Sequence, residues 1–105
     1  MSQGIVELTD ATFDAAIAKG TVLVDFWAPW CGPCRTQGKI LEELIAAGKL
    51  PAGVVVAKVN VDEAAALATR FRVMSIPMLL IFKDGQIVKQ FVGVQQPAAL
   101  LTALG

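Results

Sequence analysis

The sequence contains no histidine and has only two cysteines among its 105 residues. The absence of histidine excludes Ser-His and Cys-His catalysis, Cys/His zinc sites and haem ligation by histidine. Nine lysines and arginines balance nine aspartates and glutamates, so the formal net charge is zero. A chain without a basic excess is not expected to bind nucleic acid or an anionic membrane as a main partner. A general acid or base near neutral pH must therefore be a perturbed carboxylate, lysine or cysteine.

The chain also lacks a long apolar run, although 55% of its residues are hydrophobic and its mean hydropathy is +0.62. Its most apolar segments, residues 54–61 and 74–82, are interrupted by Lys58, Ser75 and Pro77. Neither approaches the roughly 18 apolar residues of a membrane-spanning helix. The first ten residues have no basic or apolar region of a signal peptide. We therefore expect a cytoplasmic protein, in which a purely structural disulfide is the less frequent use of two cysteines.

Hydrophobic periodicity divides the chain into strands and helices. The predicted strands are residues 5–8, 21–28, 54–61, 78–82 and 86–92, and the predicted helices are 12–19, about 33–47, about 62–71 and about 97–104. A tight hairpin is expected at Lys83-Asp84-Gly85. The order βαβαβα-ββα predicts an α/β domain with a five-stranded mixed sheet and helices on both faces. At this length it is one domain, residues 1–105.

Polar residues at the predicted helix starts are candidate caps. Asp10 or Thr12 is expected to cap the helix at 12–19, and Gly20 is expected to end it. Asp62 is expected to cap the helix that follows the third strand.

Cys31-Gly32-Pro33-Cys34 lies where the second strand passes into the second helix. Side chains three apart on a helix are neighbours, so the two sulfurs can form a disulfide. The helix N-terminus favours the thiolate of Cys31, and a lowered pKa makes this cysteine the nucleophile. Cys34, one turn later and expected to be more buried, is then the resolving thiol.

Two other uses of these cysteines are possible: inert side chains, or half of a metal site. A metal site would need two further soft or imidazole ligands, and the sequence has no other cysteine and no histidine. Haem attachment would need a histidine where Arg35 stands. Redox chemistry is therefore favoured, and no metal is expected.

Residues 27–34, Trp-Ala-Pro-Trp-Cys-Gly-Pro-Cys, resemble the active-site signature of the thioredoxin family. The similarity runs from about Ile5 to Leu104, nearly the whole chain. The further segments that resemble the family are Val24-Asp25-Phe26, Lys58-Val59-Asn60-Val61-Asp62, Ile76-Pro77, Phe82-Lys83-Asp84-Gly85 and Val92-Gly93. A single C-x-x-C motif would be weak evidence of this resemblance, whereas this set of segments in this order is strong evidence.

The resemblance implies roles for a buried acid and a proline. Asp25 matches the family's buried acid, which takes the proton from Cys34 through water, and Lys58 matches its partner. Burial without full pairing would raise the pKa of this carboxyl toward 7; alternatively, Asp25 is a satisfied structural acid. Pro77 matches a cis-proline that faces the disulfide and leaves the backbone of Ile76 to pair with an extended substrate. Without the resemblance, Pro77 would be read as the start of an edge strand.

The resemblance also implies an exposed apolar patch around Cys31 that binds the partner protein. Its expected members are Trp30, Val61, Met74, Ile76, Pro77 and Gly93. Trp27 is expected to pack beneath the site. The Gly32-Pro33 pair between the cysteines supports a reductant, since strong oxidants usually carry a polar or histidine-containing pair there.

The chain departs from the family's pattern at several positions. Lys39, preceded by Gly38, stands where the second helix of family members usually has proline. Whether this helix is kinked, as a proline would make it, is therefore in question. Met78 replaces the usual threonine after the cis-proline, Arg35 replaces lysine, and the loop at 49–53 is longer. None of these changes touches the cysteines, Asp25 or Pro77.

The expected function is that of a cytoplasmic, monomeric dithiol carrier that reduces disulfides in other proteins. It would bind no cofactor, use the Cys31–Cys34 disulfide as its redox group, and receive electrons from an NADPH-dependent, flavin-containing thioredoxin reductase. One rival is a disulfide oxidant or isomerase of the secretory space. A second is a non-catalytic binding module that uses the apolar patch.

Overall fold

A computed structural model of the chain describes residues 4–105. The strands are β1 (Ile5–Leu8), β2 (Thr21–Trp27), β3 (Val55–Asn60), β4 (Met78–Lys83) and β5 (Gln86–Val92). The helices are α1 (Phe13–Ile17), α2 (Gly32–Ala46), α3 (Ala65–Arg70) and α4 (Pro97–Leu104). The predicted order of elements is confirmed. Residues 1–3, which belong to the predicted domain and to the segment considered as a signal peptide, lie outside the described residues.

The five strands form one mixed sheet in the order β1-β3-β2-β4-β5. Strand β3 pairs in parallel with both β1 and β2, because each crossover through a helix returns the chain in the same direction. Strand β4 runs antiparallel to β2, and β5 runs antiparallel to β4. The register places Asp25 of β2 opposite Lys58 of β3. The predicted α/β fold with a five-stranded mixed sheet is thus confirmed.

The central strand β2 is buried on both faces. Val24 belongs to a core cluster with Phe13 of α1 and Leu67 of α3, whereas its neighbour Leu23 belongs to a second cluster with Leu41 of α2 and with α4. Successive strand residues point to opposite faces, so α1 and α3 cover one face and α2 and α4 the other. No helix within residues 4–105 is long and apolar enough to cross a membrane.

Helix α1 is shorter than the predicted 12–19, and neither proposed residue caps it through its side chain. The Thr12 hydroxyl instead accepts a hydrogen bond from the Thr9 backbone N–H at 3.0 Å. Asp10 Oδ1 accepts one from Leu67 N–H in α3 at 3.2 Å. Asp10 therefore satisfies a free N–H near the start of a different helix, a long-range contact that local sequence signals do not reveal.

The prediction that Asp62 caps α3 is wrong. The residue at the N-cap position is Ala64, which makes no side-chain cap. Asp62 Oδ2 instead accepts a hydrogen bond from Trp30 Nε1 at 3.0 Å. The carboxylate is thus used to hold the indole beside Cys31, because a tryptophan N–H is a donor only and needs an acceptor.

Candidate active site

Cys31 and Cys34 lie at the N-terminus of α2 and are joined by a disulfide, with their Cα atoms 5.2 Å apart. Cys31 is the N-cap residue, and its Sγ accepts a hydrogen bond from the Cys34 backbone N–H at 3.2 Å. Pro33 lies in the first turn of the helix, where its missing N–H leaves no hydrogen bond unmade. The predicted pairing of the two sulfurs at the helix start is confirmed.

Hydrogen bonding, rather than burial, distinguishes the two cysteines. Cys31 is 5% exposed and Cys34 is 3% exposed, so their accessibilities hardly differ. Only Cys31 holds the cap position, where a backbone N–H and the positive end of the helix dipole face its sulfur. Such a donor and the positive end of a helix dipole favour a thiolate over a thiol.

Apolar side chains surround the disulfide. Trp27, Val61 and Ile76 pack against the cluster that Ala28 forms with the two cysteines. The Sγ atom of Cys31 also lies 3.8 Å from the carbonyl oxygen of Ile76. The backbone of Ile76 therefore borders the Cys31 sulfur, which agrees with the position facing the disulfide that the resemblance implies for the adjacent Pro77.

Asp25 is buried behind the disulfide, with 3% of its surface exposed. Among residues 4–105, its Oδ1 atom has no hydrogen-bond partner. Burial raises the pKa of the Asp25 carboxyl from 3.8 to about 7, and the positive charge of Lys58 on the adjacent strand opposes the rise. Desolvation outweighs the attraction of Lys58, so the carboxyl titrates in the range a general base needs.

A cavity of about 200 Å³ connects Asp25 with Cys34. Its lining residues are Ile5, Asp25, Trp27, Cys34, Arg35, Gly38, Lys39, Glu42 and Lys58. A water molecule occupies roughly 30 Å³ in the liquid, so the cavity has room for several. Lys39, the residue at the usual proline position, therefore lines the same space as the buried acid.

Lys58 also contacts the tryptophan beneath the site. Its Nζ atom lies 4.4 Å from the centre of the Trp27 ring, a cation–π contact. Because Trp27 is packed against the cysteine cluster, the predicted position beneath the disulfide is confirmed. The same contact holds the Lys58 charge close to the Asp25 cavity, which both residues line.

The Ile76–Pro77 peptide bond is cis, as predicted. Pro77 is buried, however, so the expectation that it belongs to the exposed patch is wrong. It immediately precedes β4, whose residues Met78 to Phe82 are all buried, and its carbonyl accepts a hydrogen bond from Gly93 N–H at 2.8 Å. Its neighbours Ile76 and Gly93 are only partly buried.

Trp30 and Met74 are the two most exposed members of the predicted patch, at 68% and 90%. Trp30 lies in the loop between β2 and α2, three residues after the end of β2, and is held by Asp62. Met74 lines a shallow groove with Thr69 and Arg72, and its part in substrate binding stays a prediction. The part of Trp30 in binding a partner likewise stays a prediction.

Sequence reasoning missed a buried glutamine next to the site. Gln37, one turn after Cys34, is fully buried and forms two hydrogen bonds with the backbone of Gln95. A signal was present, because Gln37 occupies the same helical stripe as Ile40, Leu41 and Leu44. A polar residue on an apolar stripe must find partners inside the protein.

Among residues 4–105 no group of three or more cysteines, aspartates or glutamates could hold a metal ion. The redox group of the site is the Cys31–Cys34 disulfide.

Comparison with known proteins gives a consistent result over nearly the whole chain. The family model described as thioredoxin matches residues 4–105. The thioredoxins of two Staphylococcus aureus strains, Mu50 and MW2, are each 47% identical to the chain over 100 residues. Each alignment covers 95% of this chain and 94% of its relative.

Proposed function

The chain belongs to the thioredoxin family of dithiol disulfide reductases, and we propose that Cys31 is its attacking thiol, Cys34 its resolving thiol and Asp25 the acceptor of the Cys34 proton. Its activity is that of a thiol–disulfide oxidoreductase. The observation that carries the assignment of roles is the hydrogen bond from Cys34 N–H to Cys31 Sγ at the start of α2, because it favours the anion at Cys31 alone.

The reaction proceeds in two exchange steps. The Cys31 thiolate attacks one sulfur of the target disulfide, forms a mixed disulfide, and releases the other target sulfur as a thiolate. The Cys34 thiolate then attacks Cys31 Sγ and releases the second target sulfur. The target gains two electrons and two protons, and the reductase is left with the Cys31–Cys34 bond seen in this structure.

Asp25 supports the second step. Cys34 must lose a proton before it can attack, and Asp25 lines the same cavity with a carboxyl pKa near 7. Water in that cavity would carry the proton, since the cavity is large enough and charged side chains line it. Lys58 helps to keep the carboxylate populated, because its charge lowers the pKa of Asp25.

The substrate surface consists of the groups around Cys31. Trp30 supplies exposed apolar area, while Val61 and Ile76 pack directly against the cysteine cluster. Met74 and Gly93 complete the proposed surface, and Pro77 supports it from a buried position. An extended segment of the target would pair with the Ile76 backbone by strand addition.

Disulfide-containing proteins are the general substrates of such a reductase. We propose a flavin-containing, NADPH-dependent thioredoxin reductase as the electron donor and the cytoplasm as the compartment, where a reducing environment keeps both thiols available. We also propose that the protein acts as a monomer.

Two measurements test this function together: reduction of insulin with a dithiol as electron source, and the reduction potential of the Cys31/Cys34 pair. We expect turnover and a potential of about −270 mV, as in thioredoxins. A potential of about −120 mV would indicate an oxidant instead. The absence of turnover would indicate a non-catalytic binding module.

A further inference from the structure

Gln37 joins the redox-active helix to the loop between β5 and α4. Its Oε1 atom accepts a hydrogen bond from Gln95 N–H at 2.6 Å, and its Nε2 donates one to the Gln95 carbonyl at 3.1 Å. The side chain is fully buried. It thus satisfies both backbone groups of one loop residue, a two-point contact that fixes the position and the orientation of the Gln95 backbone.

The hydrogen bonds continue from this contact to the proposed substrate surface. Gln95 Nε2 donates to the carbonyl of Gly93 at 3.2 Å, and Gly93 N–H donates to the carbonyl of Pro77 at 2.8 Å. A connected series of hydrogen bonds therefore runs from α2, one turn after Cys34, to the loop that carries Ile76.

The loop needs an external support at this place. Residues 93–96 form neither helix nor strand, and Gly93 has a φ of +90°, a conformation that glycine alone adopts readily. A loop of this kind is mobile unless its backbone groups are bound. Removing the Gln37 amide would leave the N–H and C=O of Gln95 without partners in a part-buried setting, where each unmade hydrogen bond is costly.

We propose that Gln37 is a positioning residue for protein substrates: through Gln95 it holds Gly93 beside Pro77, so that the surface for an extended polypeptide segment is formed before the target arrives. This role rests on the proposed function and refines its substrate surface. A pre-formed surface binds more tightly because less ordering remains for the binding step. A small disulfide reaches Cys31 without an extended segment that pairs with this backbone, so its reaction would not depend on Gln37.

The test is the variant Gln37→Met, which keeps an unbranched side chain of similar length but loses both hydrogen bonds. We expect its KM for insulin to rise about fivefold. This is the change in affinity that corresponds to the net contribution of one hydrogen bond. The kcat for insulin, the rate with a small aromatic disulfide and the reduction potential should stay within about twofold of wild type. Hydrogen exchange of the Gln95 amide should become faster.

The matched control is Gln96→Met, the same change at an exposed residue of the same loop, and it should leave KM and the Gln95 amide unchanged. An unchanged KM in Gln37→Met, or equal losses toward insulin and the small disulfide, would overturn the positioning role while the reductase function stands. Unchanged Gln95 exchange would overturn it as well. A wild-type protein that fails to reduce insulin would instead overturn the proposed function and this role with it.

Discussion

Asp25 and Cys34 line one cavity, although Asp25 belongs to the central strand β2 and Cys34 to helix α2. The carboxyl group is buried, and its pKa is raised to about 7. A group that is costly to ionise in the folded protein lowers stability, so its presence next to Cys34, the proposed resolving thiol, points to a chemical use.

Replacing Asp25 by asparagine should stabilise the protein at pH 8. The folded pKa, about 7, lies above the ordinary value of 3.8, so the folded state binds the proton more tightly than the unfolded chain. Asp25 therefore lowers stability as pH rises from about 4 to about 7, and above pH 7 the cost is constant. The full cost is on the order of 4 kcal/mol. The gain should thus be largest at pH 8, smaller at pH 5 and near zero at pH 4.

Urea titrations of wild type and Asp25→Asn at pH 5 and pH 8 measure this difference. Asp14→Asn is the control, because Asp14 is exposed and its ion pair with Arg70 lies on the surface; it should change stability by less than about 1 kcal/mol at both pH values. If Asp25→Asn is less stable than wild type at pH 8, Asp25 is a paired structural acid and its role as base is wrong.

Replacing Lys58 by methionine should raise the pKa of Asp25 further, because the charge of Lys58 lowers it in the wild type. The pKa can be followed by NMR titration of the Asp25 carboxyl carbon. Lys89→Met is the matched control, since Lys89 also lies over an aromatic ring, that of Phe91, but on β5. A pKa of Asp25 that stays the same or falls in Lys58→Met would show that Lys58 does not act on this carboxyl.

Replacing Trp30 by alanine should weaken binding of protein disulfides more than it slows the chemistry. The indole is 68% exposed and held by Asp62, so it presents a fixed apolar surface that a partner can cover. We expect KM for insulin to rise severalfold, with the rate toward a small disulfide unchanged. Val88→Ala is the control, because Val88 is also an exposed apolar side chain but lies on β5. It should change neither the KM for insulin nor the rate toward the small disulfide. Equal losses toward both substrates would contradict the binding role.

Replacing Arg72 by glycine should stabilise the fold. Arg72 has a φ of +52°, which brings the Cβ of an L-residue close to its own backbone. Glycine removes that strain but loses entropy on folding, so the net gain is about 0.5–1 kcal/mol. The midpoint of urea unfolding measures it, with Arg72→Ala as the control that retains Cβ. A lower midpoint for Arg72→Gly would contradict this interpretation.

The fold could be predicted because local signals agree with it. The turn Lys83-Asp84-Gly85 illustrates this: Asp84 and Gly85 both have positive φ, 50° and 85°, which Asp-Gly tolerates well. The β-branched run of β3 and the apolar stripe of α2 likewise match their observed elements. Hydrophobic periodicity is sufficient to predict a helix or strand where the element's own sequence determines its conformation.

The parts that could not be predicted depend on contacts between distant segments. Asp62 has the sequence position of a cap but binds Trp30, and Asp10 binds the N–H of Leu67. The chain positions of these partners carry no periodic signal. The cysteines and Asp25 were identified because a motif and a single charge in an apolar strand mark them, whereas Gln37 required knowledge of the loop that it faces.

The capture of reaction intermediates tests the central claim, that Cys31 attacks and Cys34 resolves, most directly. The reduced variants Cys34→Ser and Cys31→Ser are each mixed with a disulfide-containing protein, and covalent adducts are measured by intact mass under non-reducing conditions. We predict a stable mixed disulfide through Cys31 in Cys34→Ser, because no resolving thiol remains, and no adduct in Cys31→Ser. Capture by Cys31→Ser without capture by Cys34→Ser would contradict the account.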